Sequence, residues 1–208
     1  MKDRLASTTP VVLIVAWGIV FTIGSAWLCQ PALAQQPKHG SDRAHLDRQT
    51  ALLKQLVPTT LRAMGHRNWI AIVDSAYPLQ TAPGIKTVYV GGDQLAAVQR
   101  VLDGIDKAKH VRGIVYVDKE LDYVPPEDAP GIESYRAKLE QLLGKRNVHK
   151  QLHEDTIRML DDASKLFNVL IIKTDLAIPY TSVFVQLDCG YWSEQAERRL
   201  RARMRDTK

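Results

Sequence analysis

The chain has 208 residues, a net charge of +5, 45% hydrophobic and 25% charged residues, and only two cysteines. That balance excludes a disordered or low-complexity chain, and the cysteine count excludes a disulfide framework. The positive charge lies mostly at the ends, where residues 194–208 alone carry five arginines and one lysine against three acids. The body is therefore close to neutral, which argues against a nucleic-acid partner.

At the start, Lys2 and Arg4 precede an apolar run over residues 11–29, and Pro31-Ala32-Leu33-Ala34 leads into a polar stretch. A basic segment, an apolar segment and a small-x-small site make residues 1–34 a secretory signal peptide. The run is also just long enough to cross a bilayer, so retention as an uncleaved inner-membrane anchor is the alternative. Both readings export the domain, to the periplasm or beyond the cell, and a membrane contact is expected only if the segment is retained. Bulky Trp27 and Leu28 before Cys29 set aside a lipoprotein reading. Cys189, after a strand-like run, reads as a small buried residue. With no CxxC or HExxH spacing, no structural metal is expected.

Residues 35–45 are polar and read as a linker. Leu46, Leu52, Leu53, Leu56 and Val57 recur at three and four spacings, an amphipathic helix that Pro58 ends or divides from the turn before Gly65. Residues 69–73 (WIAIV) form a short continuous apolar run closed by Asp74, and 87–90 (TVYV) form a second. After Gly91-Gly92, Asp93 is placed to cap a helix with Leu95, Val98, Val101, Leu102 and Ile105 on one stripe. A third strand at 110–117, an irregular loop and a helix stopped at Gly144 follow. Residues 146–174 run from a short extended piece through a helix into the strand NVLIIKT, and 182–190 form the last strand. Residues 193–208 read as a basic, exposed or docked helix end.

Strands alternate with helices, and each apolar run is continuous rather than two-faced. The expected fold is α/β, a single domain over residues 46–192 with a mainly parallel sheet covered by helices. In such sheets ligands sit beyond the carboxyl ends of the strands. Polar residues at strand and helix ends are His66, Asp74, His153 and Tyr180. Taken singly each is also a cap, turn or packing residue. Gly91-Gly92 lacks the further glycines or the lysine of a phosphate loop.

The block MGHRNWIAIVDSAYP resembles the opening of the ribose pyranase and L-fucose mutarotase (RbsD/FucU) family: Gly-His, a few polar residues, a hydrophobic strand, then Asp and Pro. GGDQLAAVQRVLDGI, GIESYRAKLEQLL, ASKLFNVLIIKT and PYTSVFVQLDCGYW resemble the family's later elements in the same order. The resemblance spans roughly residues 52–192. It implies His66 as proton donor, Asp74 as a sugar-binding carboxylate and His153 as a substrate contact. Arg158 is a further candidate, because the mutarotases use an Arg near that point. Tyr180, Thr181 and Ser182 stand where the family has a Tyr-x-Asn element that touches the sugar. Ser182 replaces the Asn, and a hydroxyl offers fewer donors and less reach than an amide.

The resemblance implies a sugar isomerase that interconverts anomers or ring forms of a ribose- or fucose-like monosaccharide by opening the ring, with no cofactor and no metal. It also implies a ring-shaped homo-oligomer such as a homodecamer, with pockets near subunit contacts. The rival expectation is a non-catalytic carbohydrate-binding or scaffolding oligomer of the same fold, motivated by Ser182. Histidine suits the acid/base role because its ordinary pKa lies near neutrality.

Overall fold

The computed structural model describes His39–Asp206; the expected signal peptide lies outside these residues. Among them no helix is long and apolar enough to cross a membrane.

A first helix, α1 (His39–Ala63), leads to strand β1 (Trp69–Val73), and β2 (Ile85–Tyr89) follows after an irregular loop. Next come α2 (Gln94–Lys107), β3 (Val111–Asp118), a 3-10 turn at Lys119–Asp122, α3 (Ile132–Leu143) and β4 (Val148–Gln151). The chain closes with α4 (His153–Ser164), β5 (Val169–Lys173), β6 (Val183–Cys189) and α5 (Glu194–Asp206).

The strands form one sheet in the order β2-β5-β1-β6-β3-β4. The β2–β5, β5–β1 and β3–β4 pairs are parallel, so the sheet is mainly parallel as expected. β6 departs from this and runs antiparallel to both β1 and β3. The cause is its short connection. Residues 174–182 contain no helix, and a parallel return needs a crossover of a dozen residues or more. The loop instead passes over the end of β1 and enters β6 from that edge.

Alternation along β1 explains its unbroken apolar run. Ile70 and Ile72 face a core built with α1, α2 and α3, while Trp69, Ala71 and Val73 face a second core under α4 with Leu160 and Phe184. Each strand residue thus has a covered side, and all five are buried.

Two local readings change. α1 starts at His39, inside the stretch read as a linker, and it continues through Pro58 rather than stopping there. Proline removes one backbone donor and crowds the preceding turn. Leu53, Val57 and Leu61, on both sides of it, are nearly fully buried against the α2 core. That burial outweighs the local penalty. Close approach also settles Gly84, where a Cβ would collide with the Ser164 and Phe167 carbonyls.

The α2 cap forms as expected, with the Asp93 carboxylate accepting from Ala96 N at 2.7 Å. Asp93→Ala should cost about 1 kcal/mol and lower the melting temperature by about 2–4 °C, whereas Asp93→Ser should recover most of the loss. Thermal melting followed by circular dichroism checks both.

Candidate functional site

β1 and β3 both run antiparallel to β6, so their carboxyl ends and the amino end of β6 lie on one edge of the sheet. Asp74 follows β1 there, Asp118 ends β3, and Ser182 precedes β6. α4 begins on the same edge with His153 as its first residue.

Asp74 closes a tight turn by accepting from Ala76 N at 2.8 Å through Oδ1. Its other oxygen accepts from the Ser182 hydroxyl at a long 3.5 Å. It is partly exposed, so the carboxylate keeps open acceptor capacity.

His153 is the centre of the edge. Its Nδ1 lies 2.9 Å from Asp118 Oδ2, and its backbone N–H donates to both oxygens of Glu120 at 3.1 Å. Glu120 therefore caps α4, whose own N-cap residue Leu152 supplies no side-chain bond. The imidazole stands edge-on to the Tyr180 ring, with centroids 5.8 Å apart, and 6.5 Å from the Phe184 ring. Its side chain is 27% exposed, whereas that of Asp118 is 0% exposed.

The two groups perturb each other. Burial pushes the Asp118 carboxyl up, against the downward pull of its hydrogen bond to His153. That same bond, with Asp118's charge and Glu120 behind it, raises the His153 imidazole above its ordinary value despite partial burial. Asp118 Oδ1 is buried and has no hydrogen-bond partner among the described residues. An unsatisfied buried acceptor costs about 1–3 kcal/mol, so this carboxyl is a poor choice for stability alone.

Tyr180 adds local strain. It adopts φ +56°, a left-handed conformation that side chains other than glycine rarely occupy. Such strain, on the order of 1–3 kcal/mol, persists where the surroundings over-determine it, commonly at functional sites. Tyr180 also borders a mostly apolar hollow of about 520 Å³ with Tyr123, Val124, Pro125, Leu152 and Pro179.

Other expected site residues go elsewhere. The Thr181 hydroxyl donates to the Ile178 carbonyl, and the Thr181 carbonyl accepts from Gln94 and Tyr135, so this residue shapes the loop from within. Arg158 lies on the exposed side of α4, paired with Asp155. His66 precedes β1, at the opposite end of the strand from Asp74. It lines a separate open hollow of about 720 Å³ with Arg112, Asp188 and Trp192. At ~3.4 Å per residue along β6, the Asp188 and Ser182 ends lie roughly 20 Å apart. One chain therefore does not bring His66 and Asp74 to a common cavity. In the His66 hollow, Asp188 stays below the usual carboxylate range because its bonds to Arg112 and the Cys189 backbone, with His66 nearby, outweigh its burial.

Sequence reading missed Asp118 and Glu120. The signal for Asp118 was present: GIVYVD ends in aspartate just as WIAIVD does. A separate apolar groove of about 540 Å³ lies between α1 and strands β2 and β5, lined by Leu52, Leu56, Val88 and Leu170, and holds little chemistry. Among the described residues no group of three or more side chains could hold a metal ion.

The family model described as "RbsD / FucU transport protein family" matches residues 48–190. The chain belongs to that family. Comparison with curated proteins finds no match. Among solved structures, the chain is similar to Bacillus subtilis RbsD complexed with D-ribose, at 16% identity and TM-score 0.48, covering 67% of this chain and 94% of that one. It is also similar to the Streptococcus pneumoniae fucose mutarotase in complex with L-fucose, at 18% identity and TM-score 0.42, covering 65% and 91%. FucU from Bifidobacterium longum matches at 15% identity and TM-score 0.39, covering 69% and 96%.

Proposed function

We propose that the protein is an exported sugar mutarotase or pyranase that interconverts anomers or ring forms of a monosaccharide by acid/base ring opening. Family membership supports the substrate class. The observation that carries the reading is the convergence of Asp74, His153, Tyr180 and Ser182 on one sheet edge. A carboxylate there accepts hydrogen bonds from sugar hydroxyls, an imidazole hydrogen-bonds a further hydroxyl, and an aromatic ring covers the apolar face of a pyranose.

His66 is the proton donor in this reading, and its position has a consequence. It reaches the Asp74 edge only from a neighbouring copy, which calls for an oligomer whose contacts join the His66 end of one subunit to the Asp74 edge of the next. A ring such as a homodecamer satisfies that need. Arg158 and Thr181 are the weakest members of the proposed binding set, because their side chains are already engaged.

The second reading, a carbohydrate-binding oligomer without turnover, is favoured by the separation of His66 from Asp74 and by serine at 182 in place of the family's asparagine. Saturation-transfer NMR on equilibrated ribose, fucose and related sugars separates the two. Acceleration that disappears in His66→Ala is expected for the enzyme. Binding without acceleration in the wild type supports the second reading and sinks the first.

A further inference from the structure

Opening a hemiacetal needs two proton transfers. One group takes the proton from the anomeric hydroxyl as C1=O forms. The C1–O bond to the ring breaks with its electron pair on the ring oxygen, and a second group protonates that oxygen. Reclosure runs the same steps backwards, so protons balance over a cycle. His66 is the donor, and the acceptor is a second group.

We infer that His153 is the proton acceptor and that Asp118 is its positioning residue, holding the ring with Nδ1–H toward β3 and leaving Nε2 free on the sheet edge that also carries Asp74 and Tyr180. This inference rests on the mutarotase reading for its reaction, though the pairing itself stands on geometry. The Nδ1–Oδ2 distance is 2.9 Å, and Asp118 is wholly buried beneath the first turn of α4. With Glu120 holding the His153 backbone the ring's anchor point is fixed, and a carboxylate Oδ2 at this distance calls for a donating Nδ1–H. An imidazole donating from one nitrogen to a carboxylate presents the other as a bare acceptor, the arrangement of a positioned general base.

The buried carboxyl has no evident alternative task. Asp118 forms no ion pair with Lys or Arg, and its second oxygen bonds nothing among the described residues. A residue kept only to stabilise β3 would satisfy both oxygens or be apolar. The charged and titratable groups facing the His153 ring are Asp118 from β3, Glu120 from the 3-10 turn, Glu154 on its own helix and Tyr180 from the loop before β6. The three carboxyl groups all favour a protonated ring, so Nε2 is a strong proton acceptor.

The test compares wild type, Asp118→Asn and His153→Gln. Imidazole 15N shifts of the sugar-free wild type are expected to show the neutral His153 with Nδ1 protonated and Nε2 bare. Asp118→Asn should lower the midpoint of its titration. A neutral ring protonated at Nε2, or a midpoint unmoved by the substitution, overturns the inference. These readouts need no turnover, so they separate its failure from failure of the mutarotase reading, which a wild type that accelerates no sugar in the panel would sink by itself. In the exchange assay, His153→Gln should lose about 10²–10⁴-fold and Asp118→Asn about 10²-fold. The limb of the Asp118→Asn profile that rises with pH should move to lower pH, because a less basic ring becomes free earlier. An exchange rate unchanged in His153→Gln overturns the inference as well. If Asp118→Asn unfolds, the wild-type tautomer and the His153→Gln rate still decide it.

Discussion

Asparagine in place of Asp74 is expected to weaken monosaccharide binding by about 10–100-fold, while the protein melts within a degree or two of wild type. Asp74 uses Oδ1 to accept from Ala76 N and close the turn after β1, a bond that an amide oxygen can retain. What the amide lacks is charge. A hydrogen bond to a charged group contributes about 1.5–3 kcal/mol, and each 1.4 kcal/mol is a decade in affinity. Titration calorimetry with the sugar that shows exchange, beside a melt, separates the two effects. Equal affinity in wild type and Asp74→Asn would remove Asp74 from the sugar site and with it the proposed role of this edge.

The second large effect is on stability. Phe184 is fully buried on β6, packed with Trp69, Ile171 and Leu160 beneath α4. Phe184→Ala should cost about 3–5 kcal/mol, the usual range for emptying an aromatic site in a close-packed core. Against a typical domain stability of about 5–15 kcal/mol, that is a fifth or more of the whole. Phe184→Leu retains most of the volume and should cost less than about 1.5 kcal/mol. Urea unfolding read by tryptophan fluorescence measures both. The Phe184 ring also lies beneath His153, so the alanine variant should broaden the His153 ring signals even where the fold survives. A loss below about 1 kcal/mol would mean that the α4 face is loosely packed and is no rigid support for the site.

Much of the architecture was legible because continuous apolar runs and helical periodicity are local signals. WIAIV reads as a strand covered on both faces, and Ile70 and Trp69 do face separate cores. Asp93 reads as a cap from its place after Gly91-Gly92, and it caps α2. Pro58 misled, because its local penalty is visible in sequence while the burial of Leu53, Val57 and Leu61 that outweighs it is not. The site was legible in part. Asp74 and Ser182, far apart in sequence, meet because β6 enters the sheet from the edge where β1 ends.

The sequence by itself determined most of the element types, the α/β class and the family. Those follow from periodicity, capping and motif order, all properties of neighbouring residues. Strand direction and pairing belonged to the tertiary structure, since they depend on which surfaces bury best against one another. That is why no pairing within the chain brings His66 and Asp74, at opposite ends of one short strand, to a common edge. It is also why Asp118 and His153, from separate elements, face each other at hydrogen-bond distance: a strand separates the groups at its two termini, while sheet order brings the ends of different strands to one edge.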